Sequence, residues 1–164
     1  MSDAEIQRSI DKYLQARHEL IALARKHPDR LGGNDNIIGR IGEFIALRFL
    51  EGLGQKPMKV NGISNPGFDF VENKVTTQVK VITGENQKGR NVRLVEPWTQ
   101  LVVVELGQRY RPLRIGVLTK AQLQRACAEN AGWSATPIVK RSMLGAKGLV
   151  GRYGRVYQGD ELAV

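Results

Sequence analysis

Apolar residues recur at helical spacing through the first part of the chain, at Ile6, Ile10, Leu14, Ile21 and Ala24. This periodicity predicts a helix from Ser2 to the His27-Pro28 pair. Ser2 with Glu5 three residues later matches a capping box, in which two side chains satisfy backbone N–H groups at the helix start. "HPDRLGGND" interrupts the pattern with Pro, Gly and Asp. A second helix is expected with Asn34 or Asp35 as its cap, running through "IIGRIGEFIALRFLEGL" to Gly54. It is apolar around most of its circumference, which predicts burial. Gly39 and Gly42 lie inside it, each costing about 1 kcal/mol relative to Ala. A strand or ligand approaching the helix closely would account for them.

The pattern then changes to strands: "KPMKV", "GFDFV", "VTTQVKVIT", "TQLVVVEL" and "LRIGVL". Thr119 with Gln122 can cap a third helix, "KAQLQRACAEN". For the remainder the sequence predicts a short helix near Pro137 and then irregular structure. The class is therefore α/β or α+β, read here as α/β, a mixed central β-sheet flanked by helices. At 164 residues the chain reads as one domain. Within it we distinguish an N-terminal helix (1–30), a core (34–130) and a basic, Gly-rich C-terminal segment (131–164).

"PGFDFVENKVTTQVK", residues 66–80, departs from ordinary strand composition. Asp69 stands in one apolar run and Gln78 and Lys80 stand in the next, with a turn expected at Glu72-Asn73-Lys74. Side chains alternate across a strand, so Gln78 and Lys80 share a face while Val79 points the other way. A hairpin turning at 72–74 pairs residue i with about 146 − i, bringing Gln78 beside Asp69. The Asp69 carboxylate, the Val79 backbone carbonyl and the Gln78 amide oxygen are hard ligands suited to Mg²⁺, with Mn²⁺ as a substitute. A nearby ammonium, that of Lys80, can orient an attacking water and offset charge on phosphate. These are the elements of phosphodiester hydrolysis. Glu43 lies at the margin of the second helix's apolar face, about 20° from Leu50 and 40° from Leu47 at 100° per residue. Two placements are open to it: reaching inward to a metal, or lying in solvent beside Arg40.

Charge sharpens the choice of partner. The net charge is +9, and its distribution is uneven. Residues 1–82 carry 12 Lys+Arg against 10 Asp+Glu, a net +2, whereas residues 83–164 carry 13 against 6, a net +7. No acidic residue lies between Ala131 and Gly159, where Lys140, Arg141, Lys147, Arg152 and Arg155 fall. A one-sided excess of this kind favours phosphate contact, with a solubilising surface as the alternative. Lys88, Arg90 and Arg93, in the loop "NQKGRNVR" after the Lys80 strand, are further candidates for touching a nucleic-acid backbone. Arg109, Arg111 and Arg114 read as solubilising charges in a connection, and Glu72 as a solvated turn residue. The single cysteine, Cys127, excludes an internal disulfide and a cysteine-based zinc cage. No stretch approaches the ~20 apolar residues of a membrane span, and a reducing cytoplasm is the expected compartment.

Helical "IGRIGE", then "NPGFDF", then "QVK" on the next strand resembles the PD-(D/E)xK, or restriction-endonuclease-like, nuclease superfamily, over roughly residues 37–120. The resemblance implies an αβββαβ core, here with an extra N-terminal helix. It also implies a divalent metal and cleavage of nucleic-acid phosphodiesters, with a restriction-type endonuclease among the forms this takes. Carried over position by position, Asp69 is the principal metal ligand and Glu43 the helix carboxylate that assists it. Gln78 stands in the place of the second acid, and Lys80 is the catalytic lysine. Gln78 departs from the usual pattern, because a neutral amide brings an oxygen but no charge. The expectation is a Mg²⁺-dependent nuclease acting on DNA, with a homodimer through the N-terminal helix as one way to cut both strands. Its rivals are a nucleic-acid-binding module that keeps the nuclease fold without catalysis, and an assembly protein whose basic tail binds another macromolecule.

Overall fold

Ser2 opens the first helix as its spacing from Glu5 predicts. In the computed structural model, which describes residues 2–26, 37–60, 67–84 and 94–162, the Ser2 N–H donates to Glu5 Oε2 at 2.7 Å and the Glu5 N–H to Ser2 Oγ at 3.4 Å. Helix α1 spans Asp3–Lys26 and α2 spans Ile37–Gly52. The expected caps of α2, Asn34 and Asp35, lie outside the described residues.

Six strands follow: β1 (Met58–Lys59), β2 (Phe70–Glu72), β3 (Val75–Ile82), β4 (Gln100–Leu106), β5 (Pro112–Thr119) and β6 (Arg155–Gln158). They form one sheet in the order β1-β2-β3-β4-β5-β6. Neighbours are antiparallel except β3 and β4, which run parallel. Helix α3 (Lys120–Glu129) starts at Thr119 with the capping box that Gln122 predicts.

Alternation along the strands divides the core into two layers. Val79, Val102, Val104 and Ile115 pack against α1 and α2 through Leu14, Ile41, Phe49 and Leu50. Ile82, Leu101, Val103 and Leu118 face the other way, toward Leu123 and Ala126 of α3. Strand β4 is buried along its whole length, which is why its sequence reads as a continuous apolar run. Gly42 explains itself here: a Cβ at that position would overlap Val81 Cγ2, so the bare backbone lets α2 lie directly on β3.

The C-terminal segment is more ordered than its sequence suggests. After a 3₁₀ turn at Arg141–Leu144 come helix α4 (Leu149–Tyr153) and strand β6, which extends the sheet beside β5. Met143, Leu144, Leu149 and Val150 are part of the second core layer. The strand escapes sequence reading because "RVYQ" offers only two apolar residues, one for each face. Its strand state comes from pairing with β5. Among the described residues no helix is long and apolar enough to cross a membrane.

Candidate functional site

The hairpin between β2 and β3 turns on two residues, Asn73-Lys74, with Asn73 at φ +53°. Its pairs are Phe70 with Thr77, Val71 with Thr76 and Glu72 with Val75, one residue away from the expected register. Glu72 is the last residue of β2, and its Oε1 accepts the Lys56 N–H at 2.7 Å, so it serves a structural role instead of hanging in solvent. Pairing of β2 with β3 ends at Phe70, while β3 continues to Ile82. The Asp69 N–H still donates to the Thr77 carbonyl at 2.7 Å. Its carboxylate then takes the place of the missing strand: Oδ2 accepts the Val79 N–H at 2.6 Å. A strand residue's N–H and C=O project toward the same neighbour, so the Val79 carbonyl faces this same edge.

Lys80 and Gln78 lie on the sheet face shared with Leu101 and Val103, their partners being Val103 and Leu101. Glu43 comes from α2 on the opposite side, at the edge where the two faces meet. Glu43 acts electrostatically on both Asp69 and Lys80. Burial is the main influence on each of these two groups and favours its neutral form. The Asp69 carboxyl is thereby pushed above its ordinary value; Glu43 pushes it the same way, and the Val79 N–H, Lys80 and Lys59 oppose the shift. Burial pulls the Lys80 ammonium below its ordinary value, against the pull of Asp69 and Glu43.

Sequence reasoning missed Lys59. Its Nζ lies 2.8 Å from Glu43 Oε2, and Lys59 is also felt by Asp69. Nothing local marks this residue, since it is one of several lysines and reaches the site only because β1 pairs with β2, with Lys59 opposite Phe70. Glu43 is thus not free in solvent: it is ion-paired with Lys59 at the rim.

Gln78 has a different partner from the one expected. It is buried, its Oε1 accepts the Val95 N–H at 3.2 Å, and its Nε2 lies 3.4 Å from the Val95 carbonyl. Gly67, at φ +99°, packs on the same Val95-Glu96 backbone, where any Cβ would overlap it. Gln78 therefore ties the 94–99 segment to β3, leaving its oxygen one lone pair for anything else.

A divalent cation can be tested against these donors. The described residues contain no group of three or more His, Cys, Asp or Glu that could hold a metal. What they offer is one anchored carboxylate whose second oxygen has no other described partner, one backbone carbonyl on the same edge and one carboxylate paired with an amine. Hard oxygen donors with room for several waters suit Mg²⁺. A cation there would reverse the upward push on Asp69, since it stabilises the ionised form. The donor set fits the ion.

The basic residues divide. Lys88, Arg90 and Arg93 lie outside the described residues. Arg155 stands on the α1/α2 face opposite Val117, over the Tyr157 ring and ion-paired with Glu161 at 3.3 Å. Arg152 lies over the ring of Tyr153, and Lys140 and Lys147 are exposed. Arg114, expected to be a solubilising charge, is instead bound through Nε to Glu105 at 2.6 Å. Arg141 approaches the other oxygen of the same carboxylate at 2.7 Å. Comparison of the chain with protein-family models and with curated protein sequences finds no match.

Proposed function

We propose that this chain is a Mg²⁺-dependent nuclease that hydrolyses DNA phosphodiester bonds at the β2–β3 notch, built on a restriction-endonuclease-like core. One observation carries the reading. A carboxylate and an amine, each partly desolvated and each felt electrostatically by the other, stand where β2 stops short of β3, with the charge of a second carboxylate, Glu43, acting on both. Such a site costs stability in the folded protein, and pairs of titratable groups displaced by burial in this way concentrate at functional positions. The mixed sheet, the helix α2 behind it and the net charge of +9 are consistent with the proposal.

Asp69, the Val79 carbonyl and Glu43 would hold the cation. When bound, the ion polarises the scissile phosphate and lowers the pKa of a coordinated water. The chain's own groups do the rest. The Val79 N–H fixes the Asp69 carboxylate in one orientation. Lys80, with its proton loosened by burial, orients the attacking water and offsets the charge gathering on phosphate. Lys59 holds Glu43 at the rim through their ion pair. Gln78 shapes the floor by holding Val95.

Incubation with supercoiled plasmid in Mg²⁺, Mn²⁺ and EDTA tests the proposal. Nicking or linearisation is expected with either metal, no cutting in EDTA, and none by Asp69→Ala or Lys80→Ala of unchanged circular dichroism. Undiminished cutting by either variant would refute the site. The engagement of Gln78 by Val95 favours one second reading, a nucleic-acid-binding module without catalysis. Gel shifts in EDTA with no cutting in either metal, by the wild type and by Gln78→Glu alike, would select it.

A further inference from the structure

Glu105 is the one acid in "LVVVEL", and it is 1% exposed near the end of a strand that is buried along its whole length. Burying a carboxylate costs several kcal/mol unless it is paired and hydrogen-bonded. One arginine would neutralise it, and Arg114, directly across the sheet in the β4–β5 register, supplies that. Arg114 also donates from Nη1 to the Leu144 carbonyl at 3.2 Å, so its position is fixed twice. A second arginine, Arg141, is then brought to the remaining carboxylate oxygen from the 3₁₀ turn. The triad carries a net +1.

This second arginine is more than neutralisation requires. Arg141 is approached by Glu105 through Nε, and its side chain is 49% exposed. Its two Nη atoms have no partner among the described residues. The ion pair holds one side of the guanidinium, and the half-exposed group keeps its Nη donors for whatever lies outside. That fork matches the oxygens of a phosphate. The segment itself carries no competing anion: no Asp or Glu occurs from Ala131 to Gly159, and exposed Lys140 and Lys147 flank the turn.

The triad also lies on the sheet face that carries Lys80. Lys80 pairs with Val103, Ile82 with Glu105, and Glu105 with Arg114. One strand spacing across and two residues along separate the Lys80 and Glu105 backbones by about 8 Å. At roughly 3.4 Å of axial rise per nucleotide, this is a span of a few nucleotides.

We propose that Arg141, oriented by Glu105 and backed by Arg114, is a second phosphate-binding site that grips the DNA backbone a few nucleotides from the hydrolytic notch. The inference rests on the DNA-cleaving reading for its ligand, but its test does not depend on cleavage. Binding of a fluorescent 20-base-pair DNA duplex is measured in EDTA across a series of salt concentrations, for the wild type, Arg141→Gln, Arg141→Lys and Lys12→Gln. Lys12 is an exposed residue of α1, on the other side of the sheet. Losing one phosphate contact lowers the slope of log K against log salt by about 0.9, equivalent to roughly fivefold weaker binding at 0.15 M salt. Arg141→Gln is expected to show both changes, Arg141→Lys a partial loss because the charge stays and the fork goes, and Lys12→Gln neither. Arg141→Gln leaves the Glu105–Arg114 pair intact, so its melting temperature checks folding, and Arg141→Lys carries the test should the glutamine variant melt early. Wild-type affinity and slope in Arg141→Gln, equal losses in Lys12→Gln, or no duplex binding by the wild type would each overturn the proposal. Duplex binding that depends on Arg141 without any metal-dependent cutting would instead leave this site standing and sink the nuclease reading.

Discussion

Replacing Gly42 with Ala sets two effects of opposite sign against each other. As a helix-interior substitution it should stabilise by about 1 kcal/mol, the propensity gap between the two residues. The packing says otherwise. An added Cβ would overlap Val81 Cγ2 and lie 3.2 and 3.3 Å from its Cβ and Cγ1, where ordinary carbon contacts are roughly 3.5–4.0 Å. Val81 is β-branched and stiff about χ1, so relief has to come from moving α2 away from β3. Overpacking of this kind costs typically about 1–3 kcal/mol. Set against the propensity gain, a net loss of about 1 kcal/mol is expected, or a melting temperature lower by roughly 2–4 °C for a chain of this size. The functional effect should be larger, because Glu43 is the next residue on α2 and Lys80 precedes Val81 on β3. A misplacement of about 1 Å between catalytic groups costs on the order of 10²-fold in rate. The assays are a thermal melt followed by circular dichroism and plasmid cleavage in Mg²⁺. The double variant Gly42→Ala/Val81→Ala supplies the control: removing the clashing methyls should restore most of the lost activity, with a coupling energy of about 1 kcal/mol or more. A Gly42→Ala protein that melts higher and cuts as fast as the wild type would refute the close-packing account of this glycine.

Two further outcomes follow from the electrostatics of the notch. Burial raises the Asp69 pKa above that of the unfolded chain, so the folded state holds this proton more tightly and wild-type stability declines as pH rises through the interval between the two values. Asp69→Asn keeps an oxygen for the Val79 N–H without the charge. In EDTA it should be more stable than the wild type at pH 7, with the difference vanishing toward acid pH; urea melts from pH 3 to 8 showing a constant gap would contradict this. Lys59→Met removes the amine paired with Glu43 at 2.8 Å. The Mg²⁺ concentration for half-maximal cleavage should then fall, and a titration showing a higher requirement would instead make Lys59 a contributor to phosphate binding.

Much of the fold was legible because its signals are local. The Ser2–Glu5 and Thr119–Gln122 boxes, the period of α2, and the change to alternating strands each lie within a few residues of one another, and the structure keeps them. The position of Asp69 before the turn and of Lys80 after it was equally readable, since a tight hairpin brings its two arms together whichever register it adopts. Tertiary structure decided the rest. Lys59 reaches Glu43 because β1 pairs with β2. Gln78 meets Val95 across 17 residues. Arg114 and Arg141 converge on a carboxylate that only burial makes demanding. Strand β6 owes its form to β5, and the basic residues of the C-terminal segment separate onto opposite faces of the sheet. The sequence determined which groups the chain carries and how each segment is locally shaped. Which charge finds which partner depended on register and on how much water each group loses, and both are fixed only when the sheet and its two helical layers assemble.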